Sequence, residues 1–194
     1  MNDLRRLIAD VAKRVVEDSL ELPTALRQVA QELGIRLKPG QPDAATMRAA
    51  IQDYRELFKP EQAKQLHENR RMAIEAMRQF DAFQPRLIGS LVNGDGPVDV
   101  IRLLLTADTP EQVIMHLSDQ RTPWRETEAR MHYSGGRIEA LPALRFQAGD
   151  SNVELIIMPP QQRSDPPRDP IGGGKLAALS QDELAALVER TASH

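Results

Sequence analysis

The chain contains no cysteine, which removes disulfides, thiolate catalysis and cysteine-based zinc sites in one step. Histidine is nearly as scarce. His67, His116, His132 and His194 are the only four, and none stands at a His-x-x-x-His or related ligand spacing. A basic excess is missing too: the formal net charge is -3, so no sequence-wide positive field exists to hold a polyphosphate backbone, and nucleic-acid binding is not expected. No uninterrupted apolar run reaches signal-peptide or membrane-spanning length, and the opening residues lead straight into an amphipathic pattern. The expectation is a cytoplasmic protein without a membrane partner.

What is present suffices for a core. With 194 residues, 41% of them apolar, the chain fits one compact unit plus an accessory part. Over residues 3–80 apolar side chains recur at helical spacing: Leu4, Leu7, Ile8, Val11 and Val15, then Leu26, Val29, Ala30 and Leu33. Asp43 is placed to cap a helix through Met47, Ile51, Tyr54 and Phe58, and Pro60 to open the next, with Ala63, Leu66, Ile74 and Met77 inward. Gly34 and the stretch Lys38, Pro39, Gly40, Gln41 and Pro42 read as turns.

After Pro85 the period shortens and a mixed sheet is expected. Residues 86–89 read as a short strand, 98–106 as a longer buried one, and Thr109-Pro110-Glu111 as the start of a helix through Val113, Ile114 and Leu117. Alternation in Ala129, Met131 and Tyr133 and again in Ile138, Ala140, Leu144 and Phe146 predicts two strands joined by a turn at Ser134-Gly135-Gly136. Residues 153–158 form a further strand. Residues 159–175 are rich in proline and glycine and read as an irregular strap, and Ser180 with Glu183 makes a capping box for a last helix. The expected fold is α+β: an N-terminal helical part (1–83) packed on a small mixed-sheet domain (84–160), then a strap (161–179) and a C-terminal helix (180–194).

One stretch looks like a site rather than a scaffold: LIGSLVNGDGPVDVIRLLLTAD, residues 87–108. Gly89 and Ser90 come directly off a strand, Gly94 follows, and Asp99 enters a second strand. Glycine lets backbone approach a ligand, while the Ser90 hydroxyl and exposed amides can face a phosphate. Here the sequence resembles the nucleotidyltransferase superfamily, whose motif is a strand, Gly-Ser, a short helical turn with a glycine, and a strand bearing Asp-x-Asp. The whole layout is similar to a small proteobacterial family of about this length with a minimal nucleotidyltransferase-like domain. The cell-wall ligase label that some of its members carry finds no support, because a muramate ligase needs a P-loop and a much longer chain.

The resemblance implies a nucleotidyltransferase-like topology, a phosphate turn at Gly89, Ser90 and Gly94, and strand carboxylates at Asp99 and Glu154 holding Mg2+ on a triphosphate. Such chemistry needs paired hard-oxygen ligands, because charge develops on both attacking and leaving oxygens. Residues two apart share a strand face, so Asp-x-Asp delivers two carboxylates together. Two residues after Asp99, however, stands Ile101, which ligates nothing, and the linker from Ser90 to Asp99 is shorter than the family's usual one. If Ile101, Leu103 and Leu105 face inward, Arg102 points toward the site as a nucleotide contact while Asp99 sides with the core.

The first functional expectation is therefore a degenerate nucleotidyltransferase-like protein that binds a nucleotide weakly or acts through a partner. Its alternatives are an active magnesium-dependent enzyme transferring a nucleotide from a nucleoside triphosphate to a protein or small-molecule hydroxyl, with Asp99 and Glu154 on one metal, and a non-catalytic interaction module. In the last case the helical half, with Met47, Met72 and Met77, docks another subunit or a second copy.

Other features have plain readings. Arg70-Arg71 with Lys64, Arg78 and His67 reads as a solvated helix face, given Glu61, Glu68 and Glu75 between them. His116 and His132 read as surface or structural residues, and the lone Trp124 as a sheet-edge anchor. Gly172-Gly173-Gly174-Lys175 resembles a P-loop but has Asp169 where the first glycine belongs. Arg163, Arg168 and Lys175 read as cations on a solvated loop, against the alternative of an arm closing over a triphosphate.

Overall fold

The structure, a computed structural model, describes residues 2–38 and 40–192. Pro39, within the expected 38–42 turn, and His194 lie outside the described residues. The N-terminal helices are α1 (Asn2–Glu17), α2 (Leu22–Glu32), α3 (Ala44–Phe58) and α4 (Pro60–Gln79). In α1 the four-residue spacing of Leu7, Val11 and Val15 makes one stripe, which meets Leu22 and Val29 of α2 and Met47 and Ile51 of α3 in a single apolar cluster. Asp43 caps α3 by accepting from the Thr46 N–H at 2.9 Å. Pro60 opens α4, where a missing N–H costs nothing.

The second half begins with alternating strands and helices and then runs through three consecutive strands: β1 (Arg86–Ile88), α5 (Ser90–Asn93), β2 (Val100–Thr106), α6 (Pro110–Asp119), β3 (Arg125–His132), β4 (Ile138–Ala148), β5 (Ser151–Met158) and α7 (Gln181–Ala192). The chain is thus α+β, with seven α-helices and a five-stranded mixed sheet among the described residues. Strand order is β1-β2-β5-β4-β3. β1 is antiparallel to β2, β2 parallel to β5, and the remaining pairs antiparallel.

Alternation along the strands gives the sheet two unlike faces. On one, Ile101, Leu103, Leu105, Leu155 and Ile157 form the main core with Ala73 and Met77 of α4, Val113 and Leu117 of α6, and Leu184 and Val188 of α7. Apolar packing therefore crosses the expected boundary at residue 83, because α4 belongs to the sheet's core while α1 to α3 form their own. On the opposite face Ile88, Leu104, Leu141 and Ile156 are covered by Leu176 and Ala178 of the strap. The strap holds to the sheet through Leu87–Leu179 and His132–Arg168 bridges. Where β1 and β2 run beyond that cover, a cleft opens. No helix among the described residues is long and apolar enough to cross a membrane.

Candidate functional site: an ion-paired cleft beside the strap

The cleft has a volume of about 310 Å³. It lies between the second face of the sheet, the start of α2, α3 and the strap. Its position follows from β2: because Ile101 and Leu103 are drawn into the core, Arg102 is turned out between them and lines the cleft.

Arg102 does not stand free there. Its Nε donates to Glu154 at 2.8 Å and one terminal nitrogen donates to Glu21 at 2.7 Å. The register pairs Arg102 with Glu154, and Glu154 in turn with Arg145 on β4. Arg145 donates from Nε and a terminal nitrogen to the other Glu154 oxygen, at 2.8 and 2.6 Å. Both oxygens of a carboxylate only 3% exposed are thus taken by guanidinium groups. Burial opposes the Arg102 charge, but Glu21 and Glu154 outweigh it and raise the group above its ordinary value.

A second set of charges joins α3 to the loop after α5 and to the strap. Arg48 donates to Asp95 at 2.8 Å and to Asp169 at 2.9 Å. Burial raises the Asp95 carboxyl above the usual carboxylate range although Arg48 pulls the other way. Asp169 feels the same burial, but hydrogen bonds from the Ile171 amide and Arg48 hold it below that range.

The Gly89–Asp99 segment is positioned by buried donors on α3 and α4. Arg55 donates to the carbonyls of Gly94 and Gly96 at 2.5 and 3.0 Å. Arg70 donates to Leu91 and Val92 at 2.8 and 3.3 Å. Asn69 donates to the Val98 carbonyl at 2.5 Å while accepting from Ser151. Arg70, expected on a solvated face, is buried because carbonyls unpaired at the end of α5 require a donor. Its burial and the charge of Arg55 pull its guanidinium down to about 10.

Gly89 sits at φ 80, ψ -155, a region that side chains avoid, and a Cβ there would come 3.2 Å from Arg102 Cδ. Gly96, which sequence reading passed over, is needed for close approach: a Cβ would come 2.9 Å from Ser90 Cβ, which cannot swing away.

The expected site residues do not all converge. Gly89, Ser90, Arg102 and Glu154 line the cleft. The Ser90 hydroxyl, expected to face a phosphate, donates inward to the Pro97 carbonyl at 2.5 Å. Gly94 is packed against Leu66 and Arg55 instead of lining the cleft. Asp99 lies in the bend ahead of β2, three residues before the register partner of Glu154, and is likewise not part of the lining. The donor set does not suit Mg2+: a hard dication would have to displace two guanidinium groups from Glu154, with Ile101 buried where a second carboxylate is needed. Among the described residues no three His, Cys, Asp or Glu side chains gather as metal ligands.

Sequence reading missed Glu21, Arg48, Arg145 and Asp95. Arg55 and Arg70 carried a usable signal: Arg55 follows Met47 and Ile51 at four-residue steps, and Arg70 sits between Leu66 and Ala73 on the inward stripe. A cation on an apolar stripe points to buried carbonyls.

The strap cations divide. Lys175 is exposed, as are the three glycines before it, Arg163 donates to Gln84, and Arg168 alone lines the cleft. His116 packs at a tilt against Phe80, ring centres 5.3 Å apart, and bonds the Gln79 carbonyl, a structural use, whereas His132 borders the cleft.

Fold and site together define an α+β protein with a small, arginine-rich, ion-paired cleft. Compared with known proteins, the chain matches no protein-family model and no curated protein.

Proposed function

We propose that the protein is a nucleotidyltransferase-like binding protein whose cleft takes a nucleotide without metal chemistry. The pairing of an antiparallel β1-β2 hairpin with a parallel β2-β5 step around a Gly-Ser turn is consistent with that ancestry. The observation that carries the reading is the Arg102–Glu154–Arg145 arrangement. Where a metal would neutralise substrate charge in an active transferase, fixed guanidinium groups stand instead, and they hold their carboxylate too tightly for it to serve as a ligand. Such a cleft can hold an anion on the cations that its carboxylates leave unpaired, but it supplies no dication for an in-line displacement.

The test is titration calorimetry of the full chain with ATP, with and without Mg2+. Binding that is unchanged by Mg2+ and indifferent to Asp99→Ala is expected. Binding that requires Mg2+ and is abolished by Asp99→Ala would make the protein an active magnesium enzyme and overturn the proposal.

A further inference from the structure

Five arginines line the cleft. Three of them, Arg48, Arg102 and Arg145, are held by carboxylates, while no ion pair among the described residues involves Arg130 or Arg168. Arg130 is exposed on the edge strand β3 and is solvated. Arg168 is different. It is half-buried, its Nε is shut off from solvent, and that nitrogen has no hydrogen-bond partner. The Arg55 Nε is orphaned in the same way, and neither nitrogen, closed to solvent, is open to a ligand; what points to an anionic partner is that the Arg168 guanidinium lines the cleft with no carboxylate to neutralise it.

The backbone around it is pinned. The Arg168 N–H donates to His132 O at 2.7 Å, and Arg168 also bridges to Lys175, so the strap presents this side chain from a fixed base beside β3. Neighbouring Asp169 does not quench it, because its two oxygens are engaged by Arg48 and the Ile171 amide.

Charge and volume select the ligand. Near Glu154 and Glu21 an anion meets carboxylates, and the Ser90 hydroxyl is already committed, so the Gly-Ser turn is the poorer place for a phosphate. Glu128, also on the lining, is exposed and solvated. The cavity's 310 Å³ is at the small end of the ~300–1,000 Å³ of ligand pockets, room for about ten waters. That space holds a single phosphate on a compact organic group, and the one unpaired half-buried guanidinium offers no second cation for further phosphates. The lining also offers Leu22, Pro23, Ile171 and Leu176 to such a group.

We infer that the cleft takes a phosphate monoester of nucleoside-monophosphate size, with Arg168 as the binding residue that receives the phosphate. The inference rests on the nucleotide reading above but does not follow from it, since that reading assigns neither the phosphate number nor the receiving residue.

The experiment is calorimetric titration of the full chain with AMP, ATP and adenosine, repeated on Arg168→Met, Arg168→Lys and, as a strap control, Arg163→Met. AMP is expected to bind more tightly than ATP or adenosine. Arg168→Met should weaken AMP by roughly 10- to 100-fold, the worth of a lost charge-assisted hydrogen bond. Arg168→Lys should fall between, and Arg163→Met should match the wild type. Thermal melting of the unliganded Arg168→Met variant is expected at or above the wild-type temperature, because the buried Nε has nothing to lose. Unchanged AMP affinity in Arg168→Met, or adenosine binding as tightly as AMP, overturns the inference, as does ATP binding without AMP binding, which leaves the nucleotide reading intact. Failure of the wild type to bind any of the three defeats both.

Discussion

Arg55 is 2% exposed and hydrogen-bonded to two backbone carbonyls rather than to a carboxylate. Burial lowers its guanidinium from the ordinary arginine value even with Asp95 nearby. Such a group is retained because its removal is worse: Arg55→Met would leave the Gly94 and Gly96 carbonyls without donors at about 1–3 kcal/mol each, offset by relief of the buried charge. A net loss of about 2 kcal/mol is expected, read as a lower urea midpoint, with Arg55→Lys intermediate because one ammonium cannot span both acceptors in the same plane. An unchanged midpoint in Arg55→Met would show that the loop after α5 holds its shape unaided. Residues of this kind mark the limit of sequence reading: the acceptors lie 39 and 41 positions downstream, and backbone carbonyls leave no residue-type signature. Only the misplaced charge on an apolar stripe was visible.

Helices and strands were far more legible, because their ends are set by neighbours in sequence. Asp43, Pro60, Thr109-Pro110 and the Ser180–Glu183 pair all stand where a local rule places them, and the alternation of Ile101, Leu103 and Leu105 gave the inward face of β2 correctly. At the last helix the rule is quantitative. The Glu183 carboxylate accepts from the Ser180 N–H at 2.7 Å and the Glu183 N–H donates to the Ser180 hydroxyl at 3.3 Å, reciprocal bonds that satisfy two otherwise open donors. Ser180→Ala should cost about 1 kcal/mol. Because α7 supplies Leu184 and Val188 to the main core, the loss should appear in global unfolding; a change confined to fraying of α7 in amide exchange would mean that the helix docks independently of its cap. What local rules could not supply is the pairing of β2 with β5. Arg102 and Glu154 are 52 positions apart, and until the register is known Glu154 reads equally well as a metal ligand or as an arginine's partner.

At the scale of the whole molecule there are three apolar clusters, one within α1 to α3, one between the sheet and α4, α6 and α7, and one under the strap. A polar seam runs where α3 faces the loop after α5 and the strap. The Arg48 bonds to Asp95 and Asp169 span that seam, and Ile171 of the strap packs against the helical core beside them. The two acids respond to pH with opposite signs. Asp169 titrates below its usual 3.8 in the folded chain, so its stabilisation is complete above that pH and disappears as pH falls through the folded value. Asp95 titrates above 3.8, so it favours the folded chain most when protonated, and that contribution fades as pH climbs through its folded value. Asp169→Asn should therefore lower stability by about 1 kcal/mol near neutrality, as for a partly exposed ion pair, and the gap to the wild type should close below pH 3.8. Asp95→Asn should show the reverse slope, its deficit shrinking toward neutral pH. Urea midpoints of the wild type and both variants across the acid range decide the matter: a gap for Asp169→Asn that widens on acidification would mean that the strap is held by packing at Ile171 and not by the charge on Arg48.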